Sequence, residues 1–143
     1  MLPINKNTIQ DKLFRLNENI KFIEDILRME KEGKDILKDS LLYYGMEHLL
    51  QLSIEIIIDV GSHILAEGFN QNPKTYQDVI LLLGDKGVID KDFSEKQSEM
   101  AKFRNMIVHD YDNVDKGKVL KYAHSAPEIF RIFGKSFVNF SLK

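Results

Sequence analysis

Residues 40–67, SLLYYGMEHLLQLSIEIIIDVGSHILAE, decide the fold. Leu42, Leu49 and Ile56 recur every seven residues, and Met46, Ser53 and Val60 form a second row by the same rule. Such rows run along one side of an α-helix and need a partner to cover them. Asp39 or Ser40 opens the helix, because a short oxygen-bearing side chain can accept from the free backbone amides of the first turn. The most apolar stretch, Ile56-Ile57-Ile58, is broken by Glu55 and Asp59. That marks a core helix rather than a membrane span.

On the N-terminal side, Ile9, Leu13, Leu16, Ile20, Ile23 and Leu27 alternate spacings of four and three, so residues 7–31 read as one helix that Gly33 ends. The short 32–39 connection makes the two long helices antiparallel neighbours with a shallow crossing angle. On the C-terminal side, Gly68 through Pro73 is a loop, and Thr75 caps a short helix, TYQDVILLLGD, that Gly84 and Gly87 terminate. After the connector GVIDKDF, Ser94 with Gln97 forms a capping box for a fourth helix reaching about His109. Asp112-Asn113 is a turn, and a last helix runs from about Val114 to Asn139, kinked or restarted by Pro127. No strand-type alternation, repeat or low-complexity segment interrupts this pattern. The expectation is all-α: one domain over residues 1–143, built as a bundle of about five helices with two long antiparallel ones.

Composition narrows the function. With 43% apolar and 29% charged residues the chain has the makings of a folded soluble domain. It has no cysteine, which excludes a disulfide scaffold and a thiolate zinc site and fits a reducing cytoplasm. The first residues, MLPINKNTIQ, lack the basic and apolar regions of a secretory signal, so a cytoplasmic location is expected. A formal net charge of −2 argues against a general nucleic-acid coating protein. It leaves room for a site that holds RNA by a few placed cations.

The segment with chemistry in it is Phe103-Arg104-Asn105-Met106-Ile107-Val108-His109-Asp110-Tyr111. With four Arg and four His in the chain, an Arg-x4-His pair arises by chance in roughly one sequence in nine, and adding the Tyr lowers this to about one in 250. The full pattern is therefore worth reading, although an Arg or His on a helix is ordinarily a surface or interface residue. Arginine is a permanent cation whose fork matches phosphate oxygens. Histidine passes protons near neutral pH. RNA brings its own nucleophile, the 2′-hydroxyl, so these two groups suffice for cleavage without a metal. Asn105 shares a helix face with His109 and is placed to orient the imidazole or touch the substrate. On one continuous helix Arg104 and His109 lie about 140° apart. Either the helix ends or bends near His109, or a second protomer completes the site.

Arg104, His109 and Tyr111 together resemble the Arg-x4-His-x-Tyr signature of the HepT-like toxins of the HEPN class. NPKTYQDVILLLGDKGVI resembles that family's linker and short helix, and EIIIDVGSHIL its second helix. The resemblance implies a helical homodimer with ribonuclease activity at Arg104 and His109. It also implies a cognate antitoxin of nucleotidyltransferase fold, MntA-like, in a type VII-like pair, with AMP attached to Tyr111 as the silencing modification. No cofactor is implied.

A polar stripe interrupts the apolar central helix: His48, Glu55, Asp59 and His63 fall within about 80° of one another. Its residue types would suit a metal, but a solvated or hydrogen-bonded network is the expected reading, with Asp59 and His63 as possible lining of the cleft beside Arg104. His124 reads as an isolated surface residue. There is no P-loop, dinucleotide fingerprint, nucleophile elbow or HExxH motif. Two functions remain: an RNA-cleaving toxin, or a catalytically silent helical dimer that binds a nucleotidyltransferase partner, a nucleotide or RNA through the same residues.

Overall fold

In the computed structural model, which describes residues 6–109 and 114–142, the chain folds into six α-helices and one 3₁₀ turn, with no strand among the described residues. The central helix, α2 (Ser40–Phe69), starts where the Asp39 carboxylate accepts from the Leu42 amide at 3.1 Å. It runs through Gly68, the expected start of the loop, and ends at Phe69, two residues beyond the expected Glu67. Asn70 adopts the left-handed conformation at φ 54°, and the amides of Asn70 and Gln71 close back on Ala66 and Leu65. Of its two heptad rows, Met46, Ser53 and Val60 are fully buried, while Leu42, Leu49 and Ile56 are only half-buried. By length and composition α2 could cross a bilayer, yet its buried residues face other helices of the bundle.

α1 (Lys6–Lys31) lies antiparallel to α2, as the ion pair from Lys12 to Asp59 requires. Its stripe from Ile9 to Ile23 is buried, joined by Ile26, and Leu27 is half-buried. A 3₁₀ turn at Ile36–Lys38 tucks Ile36 into the core. α6 (Lys116–Ser141) completes the three-helix centre, antiparallel to α1 through the pairs His124–Glu30 and Arg131–Glu24. His124 is thus a bridge between helices, not an isolated residue; its Nε2 stands 2.6 Å from Glu30. Pro127 does not restart this helix. It is buried in mid-helix, where packing of Phe130, Phe133 and Phe137 offsets the backbone hydrogen bond that proline cannot donate.

α3 (Tyr76–Asp85) begins at Thr75, whose hydroxyl oxygen accepts from Asp78. It crosses α2 closely: a Cβ on Gly61 would meet Leu83 at 2.8 Å. The expected fourth helix is two helices, α4 (Lys91–Gln97) and α5 (Met100–His109). Ser94 is not its cap. Asp90 in the connector accepts from Phe93, and Ser94 is buried with its hydroxyl donating to the Ile80 carbonyl at 2.7 Å. A tertiary partner has taken the hydroxyl that a capping box would have used locally. The expected turn at Asp112-Asn113 lies outside the described residues.

Candidate functional site

α5 is held by its apolar face. Met100 and Ile107 are buried, and the Phe103 ring stacks on Tyr122 of α6 at 4.2 Å and 26°. Burial also raises the Tyr122 phenol well above the ordinary tyrosine range. With Phe103 turned to α6, the next residue is rotated about 100° around the helix, and Arg104 turns to α2. There it meets Glu55. Nη2 donates to Glu55 Oε1 at 2.6 Å and Nε to the same oxygen at 3.0 Å. Gln51 donates to that oxygen as well, at 3.3 Å. The pair is mostly buried, with side chains 17% and 29% exposed for Arg104 and Glu55.

The Glu55 carboxylate fixes one edge of the guanidinium without using all of its donors. A guanidinium has five N–H donors. Among the described residues two go to Glu55 and a third, on Nη1, to Asn105 Oδ1 at 3.2 Å. One N–H on each Nη remains for an anion. The guanidinium carbon also lies 5.6 Å from the centre of the Tyr76 ring, at the first turn of α3. Arg104, Asn105, Lys102, Tyr76, Gln77 and Thr75 line an open cavity of about 420 Å³.

His109 is the last described residue of α5 and is exposed. No described hydrogen bond joins it to Arg104 within the protomer. Asn105, expected to orient the imidazole or the substrate, bonds instead to Arg104. Tyr111 lies outside the described residues. Asp59, 59% exposed, pairs with Lys12 at 3.5 Å. It lines a second cavity, of about 310 Å³, together with Lys12, Arg15, Glu18 and Glu55. His63 is half-buried and lines neither of these cavities, and His48 is exposed. The polar stripe of α2 is therefore divided: Glu55 serves Arg104, and Asp59 serves Lys12. Among the described residues no three His, Asp or Glu side chains converge as a metal cage would require.

Sequence reading places Glu55 in the polar stripe, as a solvated or hydrogen-bonded group, but does not pair it with Arg104. The signal for that pairing is present as a carboxylate on an apolar helix, a position that demands a cation. Tyr76 has no such signal, because its role depends on how α3 packs against α5.

The model of the family described as Ribonuclease HepT-like matches residues 16–135. The mRNA nuclease HepT of Shewanella oneidensis is 26% identical over 111 residues, 78% of this chain and 84% of that protein. The tRNA nuclease HepT of Aphanizomenon flos-aquae is 29% identical over 73 residues, a match spanning 51% of this chain and 50% of that protein. Among solved structures, the tri-AMPylated Shewanella oneidensis HEPN toxin in complex with MNT antitoxin superposes with a TM-score of 0.81 at 24% identity, over 92% of this chain and 96% of that one. YutE, a cytosolic protein of unknown function from Bacillus subtilis, superposes at 0.82 with 16% identity, over 98% and 92% of the two chains. At these identities the structural likeness is one of fold.

Proposed function

The chain belongs to the HepT-like ribonuclease family, and from that premise we propose that it is a metal-independent endoribonuclease and the toxin of a toxin–antitoxin pair. The observation that carries the reading is Arg104, aimed by Glu55 and still offering two N–H bonds into a cavity. Those two bonds take a phosphate oxygen of RNA. The 2′-oxygen of the preceding ribose attacks phosphorus and the bond to the 5′-oxygen breaks. The 2′-hydroxyl proton leaves to a base, and the 5′-oxygen gains one from an acid. The products are a 2′,3′-cyclic phosphate and a 5′-hydroxyl, with no water or metal consumed. His109 performs one of the proton transfers, while Arg104 stabilises the charge that accumulates on the phosphorane.

A second copy of the chain completes the site. Arg104 and His109 project about 140° apart on α5, so one protomer does not wrap a single phosphate between them. A two-fold pairing sets two Arg104–His109 motifs across one cleft and supplies both an acid and a base. The solved relative from Shewanella is a complex with an MNT antitoxin and is AMPylated. By analogy the partner here is an MntA-like nucleotidyltransferase that attaches AMP to Tyr111.

Steady-state cleavage of a mixed-sequence RNA tests the assignment. His109→Ala should lose about 10²–10⁴ in kcat. Arg104→Lys should lose about 10- to 100-fold in kcat/KM, because an ammonium lacks the planar fork. Folded variants that cleave at the wild-type rate would reject the mechanism. Binding of RNA without cleavage by the wild type would favour the silent helical dimer.

A further inference from the structure

We infer that the exposed ring of Tyr76 is a stacking platform for one unpaired RNA base beside the scissile phosphate, making this cavity the substrate's base subsite. The inference rests on the ribonuclease reading and goes beyond it, because nothing in cleavage chemistry itself requires an aromatic ring there.

Two cavities flank the Arg104–Glu55 pair, and their charge separates them. The α1–α2 cavity contains Glu18, Glu55 and Asp59 against Lys12 and Arg15. A polyanion gains little from entering it. The other has no carboxylate in its lining and two cations: Arg104, held from behind by Glu55, and Lys102, 66% exposed and paired only at 3.5 Å with the exposed Glu99 outside the cavity. A phosphodiester is therefore drawn to the second side. Its volume of about 420 Å³ falls in the usual range of small-ligand sites, about 300–1,000 Å³.

Within that cavity Tyr76 is 41% exposed although its ring is large and apolar. It caps no core and sits at the first turn of α3, where Val79, Ile80 and Leu83 already provide the buried face. Its ring neighbour is the Arg104 guanidinium at 5.6 Å, the same cation that takes the phosphate. An aromatic ring within one nucleotide's reach of a phosphate-binding cation is the arrangement by which single strands are held: backbone on the cation, base on the π-face. Polar groups able to meet a base edge line the same wall. The Gln77 amide has both donors and an acceptor, and Asn105, whose Oδ1 is occupied by Arg104, has its NH₂ left to donate. The subsite therefore selects unpaired RNA, since a base stacked inside a duplex cannot reach the ring.

The test uses the full-length protein carrying His109→Ala, so that RNA is bound but not consumed, and short single-stranded RNAs with 2-aminopurine or an abasic nucleotide at successive positions. Stacking predicts quenching of 2-aminopurine fluorescence at one position, retained in Tyr76→Phe and lost in Tyr76→Leu. Affinity should fall by about 5- to 150-fold in Tyr76→Leu. An abasic nucleotide at that position should weaken binding to the protein that keeps Tyr76 by the same factor and leave binding to Tyr76→Leu unchanged. Equal affinity and quenching with and without the Tyr76→Leu substitution would overturn the inference while leaving cleavage by Arg104 and His109 intact. Unequal affinities with no abasic position that mimics the substitution would also overturn it, assigning Tyr76 to positioning Arg104 alone. Absence of RNA binding by any variant, together with no cleavage by the wild type, would overturn the ribonuclease reading and this inference with it.

Discussion

Replacing Glu55 separates aiming Arg104 from merely neutralising it. Two donors of Arg104 converge on one carboxylate oxygen at 2.6 and 3.0 Å, in a pair whose side chains are 17% and 29% exposed. Removing one partner of a fully buried pair costs about 3–5 kcal/mol, whereas an exposed pair contributes about 0–1 kcal/mol. Partial exposure places Glu55→Leu between them, at about 1–2 kcal/mol of stability. Glu55→Gln keeps an acceptor oxygen of the same shape and should cost less, below about 1 kcal/mol. Cleavage should respond in the opposite order of subtlety. The glutamine's neutral oxygen holds the guanidinium weakly and lets it turn toward Asn105 or solvent. Misplacement of a positioned group by about 1 Å can cost on the order of 10² in rate. Glu55→Gln is therefore expected to lower kcat by about 10- to 100-fold with a smaller change in KM. Urea denaturation followed by circular dichroism gives the stability, and steady-state kinetics on a single-stranded RNA gives the split. A folded Glu55→Gln protein with unchanged or raised kcat would refute the reasoning, because Glu55 would then compete with phosphate for Arg104.

Gly84→Ala should destabilise by about 1–3 kcal/mol through overpacking, since the added Cβ would lie 2.5 Å from the Ser94 side chain and 3.5 Å from the Lys91 backbone; an unchanged melting temperature would contradict that contact. The Arg131 hydrogen bond holds the Glu24 carboxyl below its ordinary 4.5, with burial opposing. Its contribution is present above the unfolded pKa and lost as pH falls through the folded one. For a pair this exposed it amounts to no more than about 1 kcal/mol. Glu24→Gln should thus lower stability at pH 7 and converge with the parent in acid, and a deficit that persists in acid would assign the effect to packing. Tyr111→Phe should keep cleavage but gain no adenylate mass when incubated with the cognate nucleotidyltransferase and ATP. Equal modification of both proteins would move the acceptor elsewhere.

The long helices are legible in the sequence because each carries its own periodic stripe. Ile9 to Ile23 and Met46 to Val60 are local patterns that any helix must bury. Thr75 is legible for the same reason, since a cap is a contact within one turn. Ser94 misleads because a serine followed three residues later by glutamine looks the same whether its hydroxyl serves the next turn or, as here, a carbonyl fourteen residues back. Pro127 reads as a break because its cost is local while the packing that offsets it is not. The motif at Arg104 and His109 is local in sequence and can be singled out; its orientation cannot. Arg104 and Glu55 are 49 residues apart, and only the packing of α5 on α2 pairs them. Tyr76 joins them through a third helix.

The most direct test of the account is cleavage of single-stranded RNA by the purified chain in excess EDTA, with the 3′ ends of the products identified. Fragments ending in 2′,3′-cyclic phosphate should form at the same rate with and without chelator, and about 10²–10⁴-fold more slowly with His109→Ala. Loss of cleavage in EDTA restored by one divalent metal, or undiminished cleavage by folded His109→Ala, would contradict it.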